Sequence, residues 1–382
     1  MRIGIFILMA GREAGGPEIY EVELLRALAR LNHHDEFFIY CHGAEAIPAI
    51  GIEQANFTYR VLRPRIRALS MTVTLPVLLQ ADRVDLMHAT FTPPPLVTKP
   101  LVFTMHCVSN FERPEFYSRT AAWRLNTLQR IGINKARVVL CVSQTLREEV
   151  HVKFGLPYDR MLVSYNGVGP QFKPRDRNAA RALIAARLGI DYRFILYVGK
   201  IQARKNLVRL IEAYARYRQQ CADPAKLLLV GHRNAAGEDL DAAIERCGVR
   251  GNVIEYGYMA HPAANTESLL PVLYNAAEIF VFPSLWEGFG IPIVEAMASG
   301  VPVICSNVTC LPEVAGDAAL IVDPLSSEDL AAAMLKVAAT PALRADLAQR
   351  GIERARIFDW DTCASSTMAA YTRCARLVAA VG

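Results

Sequence analysis

Residues 282–298 of this 382-residue chain read Phe282-Pro283-Ser284-Leu285-Trp286-Glu287-Gly288-Phe289-Gly290-Ile291-Pro292-Ile293-Val294-Glu295-Ala296-Met297-Ala298. An apolar run ends at Phe282, a glycine-containing loop follows, and a helical pattern begins near Pro292, a residue suited to a first helical turn. The loop glycines let backbone approach a ligand closely, and the helix start offers free N–H groups. This order predicts a strand–loop–helix unit with a binding loop at the carboxyl end of the strand.

The same alternation of short apolar runs and helical patterns extends in both directions, and it predicts parallel sheets with helices on both faces. The predicted strands of the first half are Ile3–Leu8, Phe37–Tyr40, Tyr59–Leu62, Leu86–His88, Leu101–Met105, Val138–Val142 and Met161–Ser164. Those of the second half are Phe194–Val198, Leu227–Val230, Val253–Ile254, Ile279–Phe282, Val301–Cys305 and Leu320–Val322. Helical faces are predicted at Glu21–Leu31, Leu207–Tyr217 and Ser327–Ala338.

Between the two sets, residues 166–174 hold two glycines and two prolines, which is typical of a linker. We therefore predict an α/β protein of two doubly wound, Rossmann-like domains that are hinged near residue 170 and face each other across a cleft. Ligands of such sheets bind beyond the carboxyl ends of the strands, so the chemistry is expected there.

Composition narrows the function classes. Apolar residues make up 52% of the chain and charged residues 21%, which is the balance of an ordinary globular protein. The net charge of +5 is too small for the protein to bind nucleic acid by charge alone.

The nine cysteines are scattered without a CxxC pair, which argues against a zinc site or a disulfide framework and for a reducing compartment. No apolar run reaches the roughly 18 residues of a transmembrane helix. The apolar opening Met1–Ala10 is interpreted as a buried first strand rather than a signal peptide, because Arg12 and Glu13 follow it directly.

Two carboxylates of the quoted stretch are candidates for binding a polar ligand. Glu287 lies in the loop and Glu295 one helical turn inside the helix, among apolar neighbours. Carboxylates accept charge-assisted hydrogen bonds and bind sugar hydroxyls well. The alternative is that Glu287 caps the helix and that Glu295 is a solvated residue on its surface.

A second candidate site follows the strand that ends at Val198. Gly199 opens a loop, and Arg204 and Lys205 lie where the next helix begins. Cations are unfavourable at a helix start, and a bound anion such as a diphosphate would remove that conflict. The alternative is an ordinary solvated basic pair.

The first domain offers a glycine turn and a histidine. Residues 14–20, with Gly16, join the first strand to the first helix, where phosphates are often bound, although neither GxGxxG nor GxxxxGK is present. His106 ends the strand Leu101–Met105, and neighbouring Cys107 is expected to point to the opposite face. The alternatives are a flexible turn at residues 14–20 and a purely structural role for His106.

Three further patterns concern metals and surfaces. Asp239-Leu240-Asp241 and Asp359-Trp360-Asp361 fit the metal-binding pattern DxD, but their surroundings predict no metal there. Residues 56–140 hold twelve basic and four acidic residues. Residues 60–67 and 113–137 are therefore candidates for docking on an anionic membrane, with a solvated face as the alternative.

Together these motifs resemble the family 4 glycosyltransferases of GT-B fold, a retaining group that builds bacterial polysaccharides and glycolipids. The resemblance rests on Glu287 and Glu295 in a Glu-x7-Glu element, on Gly199 followed by Arg204-Lys205-Asn206, and on residues 311–317. It implies an acceptor-binding domain over 1–170, a nucleotide-sugar-binding domain over 171–356 and a final helix over 357–382 that crosses back to the first domain.

The resemblance also implies roles for single residues. Arg204 and Lys205 would hold the donor diphosphate, Glu295 the ribose, and Glu287 the transferred sugar. Further residues implied at the donor are Gly16, Gly199, Tyr258, Met259, Gly288, Phe289, Gly290 and Ile291. His106 would lie near the reacting carbon, and Asn166 would serve the acceptor or the hinge, with Gly169 where an acidic or amide residue is usual.

The implied activity is metal-independent, retaining transfer of a hexose without a cofactor. The expected donor is GDP-mannose, with UDP-hexoses next, and the expected acceptor is a saccharide or lipid-linked saccharide of surface polysaccharide synthesis. The protein would be cytoplasmic, at the inner membrane face. The alternatives are a sugar phosphorylase on the same fold and a non-catalytic sugar- or nucleotide-binding partner of a synthase complex.

Overall fold

The computed structural model describes residues 1–96, 98–233, 239–259 and 268–380. These residues form two compact units. The first contains Met1–Gly167 and the final segment that begins at Asp359. The second contains the described residues from Val168 to Phe358.

The first unit is built on a parallel sheet of seven strands in the order β3-β2-β1-β4-β5-β6-β7. The strands are β1 (Arg2–Ile7), β2 (Glu36–Cys41), β3 (Phe57–Val61), β4 (Leu86–Ala89), β5 (Leu101–Met105), β6 (Ala136–Cys141) and β7 (Met161–Val163). The chain winds outward in both directions from the β1–β4 pair. Ligands of open α/β sheets bind at the carboxyl ends of strands at such a switch point.

Helices cover this sheet. They are α1 (Gly16–Leu31), α2 (Ala46–Ile50), α3 (Arg67–Leu69), α4 (Leu75–Ala81), α5 (Ser109–Glu112), α6 (Arg119–Lys135) and α7 (Gln144–Phe154). A π-helical turn at Ser70–Thr74 joins α3 to α4, and short 3-10 turns occur at Pro114–Phe116 and Tyr158–Arg160. The last helix, which we number α16 (Trp360–Ala379), packs on α1 and buries Trp360 and Tyr371 in the core of this unit.

The second unit has a parallel sheet of six strands in the order β10-β9-β8-β11-β12-β13. The strands are β8 (Phe194–Val198), β9 (Lys226–Val230), β10 (Val253–Tyr256), β11 (Ile279–Phe282), β12 (Val303–Ser306) and β13 (Ala319–Val322). Its switch point lies between β8 and β11. The loops that follow these two strands, far apart in sequence, therefore emerge side by side.

The helices of the second unit complete the doubly wound pattern. They are α8 (Arg177–Leu188), α9 (Leu207–Gln220), α10 (Leu240–Arg246), α11 (Leu270–Ala276), α12 (Ile291–Ala298), α13 (Leu311–Ala315), α14 (Ser327–Ala339) and α15 (Pro341–Ala355). A 3-10 turn at Ala203–Lys205 precedes α9. No helix of the described ranges is long and apolar enough to cross a membrane.

The predicted fold class is confirmed, and the differences lie at element ends. The strand predicted at Val301–Cys305 is Val303–Ser306. Pro302 precedes it and has no N–H to donate, although its carbonyl accepts from Phe280. The first helix begins at Gly16 rather than near Glu21, because Pro17 suits a first helical turn. Residues Arg2–Ile7 form a central, mostly buried strand, as predicted.

Candidate functional site

The loops after β8 and β11 are joined by backbone and side-chain hydrogen bonds. The N–H of Leu285 donates to the carbonyl of Arg204 over 2.8 Å. The Asn206 amide donates to the carbonyl of Pro283 over 3.1 Å and to that of Pro324 over 2.7 Å. Asn206 has φ of 62°, a left-handed conformation that asparagine tolerates, and it ends the 3-10 turn just before α9. The basic turn is thereby fixed against the glycine loop.

Glu287 lies between two cations at this junction. Nη1 of Arg204 is 2.9 Å from Oε1 of Glu287, and Nζ of Lys205 donates to the same oxygen. The Lys205 ammonium also lies 4.6 Å from the centre of the Phe282 ring. Burial alone would raise the pKa of Glu287, but Arg204 and Lys205 lower this pKa to about 2. Glu287 is therefore an ionised, buried carboxylate and not a helix cap, and Lys205 is buried rather than solvated.

The backbone after Glu287 turns sharply into α12. Gly290 has φ of 95°, and a Cβ built on it would lie 3.0 Å from Cδ2 of Leu311. Phe289 is buried against Phe358, with ring centres 5.4 Å apart. The predicted Gly288–Ile291 segment thus leads directly from Glu287 into the first turn of α12, where N–H groups lack partners within the helix.

Glu295 lies inside α12 and is 2% exposed. The hydroxyl of Tyr274, on α11, donates to its Oε2 over 2.9 Å. Burial raises the pKa of Glu295 to about 7, with the Tyr274 hydrogen bond acting in the opposite direction. The interpretation of Glu295 as a solvated helix residue is wrong.

Two glycines allow close backbone contact at the ends of β8 and β9. A Cβ built on Gly231 would lie 2.0 Å from the carbonyl oxygen of Gly199, and both residues have φ of 151°. The N–H of Gly199 donates to the carbonyl of Val230 over 2.9 Å. The sequence analysis singled out Gly199 but missed Gly231. The position of Gly231 directly after the apolar run 227–230 was the available signal.

Tyr258 and Met259 follow β10 and are half-buried. The ring of His232 stacks on Tyr258 with centres 5.0 Å apart and planes 14° apart. Glu255, earlier in this segment, pairs with Arg233. Tyr258, which the resemblance implies at the donor, therefore forms an aromatic pair with His232 next to β9, and His232 was not predicted.

His106 and Gly16 belong to the first unit. Nε2 of His106 lies 2.7 Å from the carbonyl oxygen of Thr90, which can only accept, so Nε2 carries the proton. Burial lowers the pKa of His106 to about 4, which leaves a neutral ring with Nδ1 as an acceptor. Neighbouring Cys107 contacts Ser109, at 3.0 Å between Sγ and Oγ.

The ring of His106 packs edge-to-face on Tyr20, the first member of a buried hydrogen-bonded chain. The Tyr20 hydroxyl is 2.9 Å from Oγ1 of Thr104, and that atom is 2.8 Å from Nε2 of His88. Nδ1 of His88 is 2.8 Å from the hydroxyl of Tyr371 on α16. Sequence reasoning missed this chain, because its members lie on four separate elements.

The loop that leads to Gly16 is held by two carboxylates of α1. Glu21, completely buried, accepts from the N–H groups of Leu8, Met9 and Ala10. Glu18 accepts from those of Gly11, Arg12 and Ala14. The turn is therefore a fixed structure, contrary to the flexible alternative. Neither glutamate was predicted, although their offset of three along one helix was a visible signal.

The remaining predicted residues have structural partners or surroundings of their own. Asn166 is buried, and its Oδ1 has no partner in the part of the chain that the structure describes. The aspartates of the DxD patterns cap helices or pair with arginines: Asp239 caps α10, Asp359 caps α16, Asp241 pairs with Arg233 and Asp361 with Arg30. Among the described residues, no group of three or more His, Cys, Asp or Glu side chains is arranged to hold a metal ion.

Comparison with known families divides the chain much as the fold does. Residues 14–172 match the family model "Glycosyltransferase Family 4". Residues 182–354 match the model "Glycosyl transferases group 1". The two models together span both units.

An individual relative and two solved structures are consistent with the matches to the two family models. The chain is 32% identical to O-antigen chain mannosyltransferase B of Escherichia coli over 314 residues, which cover 82% of this chain and 78% of the relative. Among solved structures, sucrose-phosphate synthase of Thermosynechococcus elongatus superposes with a TM-score of 0.75 at 23% identity, with full coverage of both chains. Anabaena Alr3699/HepE, solved with UDP and glucose, gives a TM-score of 0.77 at 20% identity, with 97% of this chain and 99% of that chain covered. At these identities the two structures indicate a shared fold.

Proposed function

The chain belongs to the family 4 glycosyltransferases, and from this premise we propose that it transfers mannose from GDP-mannose to a saccharide or lipid-linked saccharide of a surface polysaccharide. The observation that carries the proposal is the buried cluster of Arg204, Lys205 and Glu287 at the switch point of the second unit. The choice of mannose rests on the 32% identity with an O-antigen mannosyltransferase. UDP-hexoses are the next candidates, since a structural neighbour was solved with UDP and glucose.

Each residue of the cluster has a proposed role. Arg204 and Lys205 bind the donor diphosphate, and two cations about 4 Å from a phosphoryl oxygen stabilise it by several kcal/mol each at an effective dielectric of 20. Glu287 and the N–H groups of Gly288, Phe289 and Gly290 bind the hydroxyls of the transferred sugar. Glu295 accepts from the ribose hydroxyls, and Tyr258 and Met259 flank the base.

The chemistry follows from these charges. As the bond between C1 and the diphosphate lengthens, negative charge grows on the leaving group beside Arg204 and Lys205, which stabilise it without a metal ion. The neutral ring of His106 accepts a hydrogen bond at Nδ1 from the donor sugar. The acceptor hydroxyl attacks C1 from the face that the diphosphate leaves and gives its proton to an oxygen of the departing diphosphate, so the configuration at C1 is retained. No cofactor takes part.

Donor specificity is tested by thermal unfolding with GDP, UDP, ADP and dTDP, each with magnesium and with EDTA. We expect the midpoint to rise by several degrees with GDP and to be unaffected by magnesium. A second assay incubates GDP-mannose and UDP-glucose with a lipid-linked saccharide and determines the configuration of the product by NMR. Phosphate-dependent cleavage of an oligosaccharide, or binding without turnover, would contradict the proposal.

We place the enzyme at an anionic membrane, on the cytoplasmic face. Supporting this, the helical stretch 67–81 exposes Val73 and Val77, at 51% and 61%, next to the basic residues of 60–67. On α6, within 113–137, Trp123 is 72% exposed among arginines. Apolar side chains flanked by basic ones are typical of surfaces that bind anionic lipid.

Flotation with phosphatidylglycerol vesicles tests this placement. Val77→Asp is expected to reduce the bound fraction severalfold, because it puts a negative charge at the lipid surface. Val152→Asp is the matched control, since Val152 is an 82% exposed valine on α7, outside these segments. Equal flotation of both variants and the wild type would contradict membrane docking through 60–81.

A further inference from the structure

We propose that the first unit carries a separate phosphoryl-binding site, formed by Arg12, His42, Arg65 and Arg67, that binds a phosphate of the acceptor. The identification of the ligand as the acceptor rests on the proposed function. The existence of the site rests on the positions of these four side chains, on the hydrogen bond between Arg12 and His42, and on the unpaired Nε2–H of His42 among the described residues.

The topology of the sheet brings the four residues to one edge. Arg12 lies in the loop that follows β1, His42 directly follows β2, and Arg65 and Arg67 lie in the segment that follows β3. These strands are parallel neighbours in the order β3-β2-β1, so their carboxyl ends face the same side. That is the side on which open α/β sheets bind ligands.

Hydrogen bonding fixes the protonation of His42. Nη2 of Arg12 lies 3.1 Å from Nδ1 of His42. A guanidinium can only donate, so Nδ1 accepts and the ring proton is on Nε2. Burial, with the charges of Arg12 and Arg67, lowers the pKa of His42 and keeps the ring neutral.

The Nε2–H of His42 is buried and has no partner within the described residues. The residue as a whole is 9% exposed. A buried donor without an acceptor costs about 1–3 kcal/mol, so such groups are rarely left unpaired in native proteins. This donor therefore indicates an acceptor atom that is supplied from outside the chain.

The charges around His42 favour an anion. Glu45 pairs with Arg12 at 3.1 Å and lies 3.8 Å from Arg65. Arg67 makes no ion pair in the part of the chain that the structure covers. Burial, and the nearby cations Arg124 and Arg12, lower the pKa of Arg67, which shows that like charges crowd this guanidinium. Three arginines and one carboxylate leave a site of net positive charge, in which Nε2–H of His42 and the guanidinium of Arg67 are donors.

A phosphoryl group meets these requirements. Its oxygens only accept when ionised, it carries up to two negative charges, and guanidinium groups bind it in a bidentate geometry. The donor diphosphate already has proposed partners in the second unit, at Arg204 and Lys205. A saccharide acceptor linked to lipid through phosphate would supply a second phosphoryl group, and exposed Ile66 lies between Arg65 and Arg67 in the chain.

The binding test uses inorganic pyrophosphate as the probe. It is titrated by calorimetry into the full-length protein with saturating GDP, which occupies the donor site. Arg67→Gln is expected to weaken pyrophosphate binding at least tenfold, and it should fold because Arg67 holds no ion pair with any of the described residues. Arg63→Gln is the matched control, an exposed arginine of the same segment, and its binding is expected to equal that of the wild type. The nitrogen signal of His42 Nε2, assigned with His42→Gln, is expected to shift on binding.

Kinetics then distinguish the sources of the phosphoryl group. With a diphosphate-linked acceptor, Arg67→Gln is expected to raise the acceptor KM at least tenfold and to leave the donor KM unchanged.

Absence of pyrophosphate binding, or equal weakening of that binding by Arg63→Gln, would overturn the site. An unchanged acceptor KM with lost flotation on phosphatidylglycerol vesicles would assign the site to lipid headgroups instead. Failure of GDP to bind would count against the proposed function alone, because the Arg67 dependence is measured separately.

Discussion

The hydroxyl of Tyr274 donates a hydrogen bond of 2.9 Å to Oε2 of Glu295, a carboxylate that is 2% exposed inside α12. Eight residues earlier, Glu287 is also buried but faces Arg204 and Lys205. One carboxylate therefore has a neutral donor as its partner and the other has two cations. Because of this difference, the pKa of Glu287 is lowered and that of Glu295 is raised. The site therefore has two hydrogen-bond acceptors that differ in proton affinity.

Donor affinity should depend on pH through Glu295. Burial raises the pKa of Glu295 to about 7 in the free protein. In its proposed role the ionised form accepts from the ribose hydroxyls, so binding is expected to release a proton. The Kd for GDP-mannose, whose phosphates do not titrate near neutral pH, is expected to rise about tenfold from pH 8 to pH 6. Calorimetry at several pH values measures this change. In Glu295→Gln the affinity is expected to be weaker and independent of pH. A pH dependence that survives in this variant would exclude Glu295 as its source.

Removal of either side of the Lys205–Glu287 pair should abolish most of the transfer. Lys205→Ala and Glu287→Ala are each expected to lower the transfer rate at least a hundredfold, because one loses a cation at the leaving diphosphate and the other an acceptor for the sugar. Both variants should also be less stable, by about 3–5 kcal/mol, since each leaves a buried charge with fewer partners. Circular dichroism verifies folding. Arg187→Ala, at an exposed residue of α8, is the control, and near-normal turnover in either site variant would refute the assignment.

Gly231→Ala should damage the second unit next to its switch point. A Cβ at residue 231 would lie 2.0 Å from the Gly199 carbonyl oxygen, so the loops after β8 and β9 must separate. We expect a loss of about 1–3 kcal/mol in the free energy of unfolding, as for other overpacked positions, and weaker nucleotide binding. Urea unfolding with and without GDP measures both. Gly257→Ala is the control for stability, because a Cβ there has no atom of the described residues within 4 Å beyond its chain neighbours. Equal stability of the two variants would disprove the close contact.

The C-terminal helix should stabilise the first unit through Tyr371. Tyr371→Phe keeps the ring but leaves Nδ1 of buried His88 without its hydroxyl partner, which lies 2.8 Å away. The expected loss is about 1–3 kcal/mol in the free energy of unfolding, measured in urea. Thr372→Ala removes the neighbouring, exposed hydroxyl, which bonds to the carbonyl of Met368, and is expected to cost less than about 1 kcal/mol. If Tyr371→Phe is no more costly than Thr372→Ala, the buried chain does not stabilise the helix.

Much of the fold follows from local pattern. Every predicted strand is present, because apolar runs bounded by glycine and proline fit buried parallel strands and little else. The helix that starts beside Pro292 was predictable for the same reason, since the fixed φ of proline suits a first turn. The ends of the strands were harder to predict than their presence. The strand predicted to begin at Val301 begins two residues later, because Pro302 has no N–H to donate.

The candidate site was predicted in composition but not in geometry. Arg204, Lys205, Glu287 and Glu295 were singled out from their motifs. That Lys205 and Glu287, 82 residues apart, share a hydrogen bond depends on β8 lying beside β11. His42 gave no sequence signal, and Arg67 was singled out only as part of the basic segment 60–67. Their proximity depends on the order β3-β2-β1.

The sequence by itself determined the elements, their alternation and the residue types at the strand ends, because periodicity and backbone preference act over a few neighbouring residues. Only the tertiary structure decided the chemical state of those residues. Glu287 and Glu295 are the same residue type in one short motif, yet one has a pKa of about 2 and the other of about 7. Burial and charge from distant segments set these values, and no local pattern encodes them.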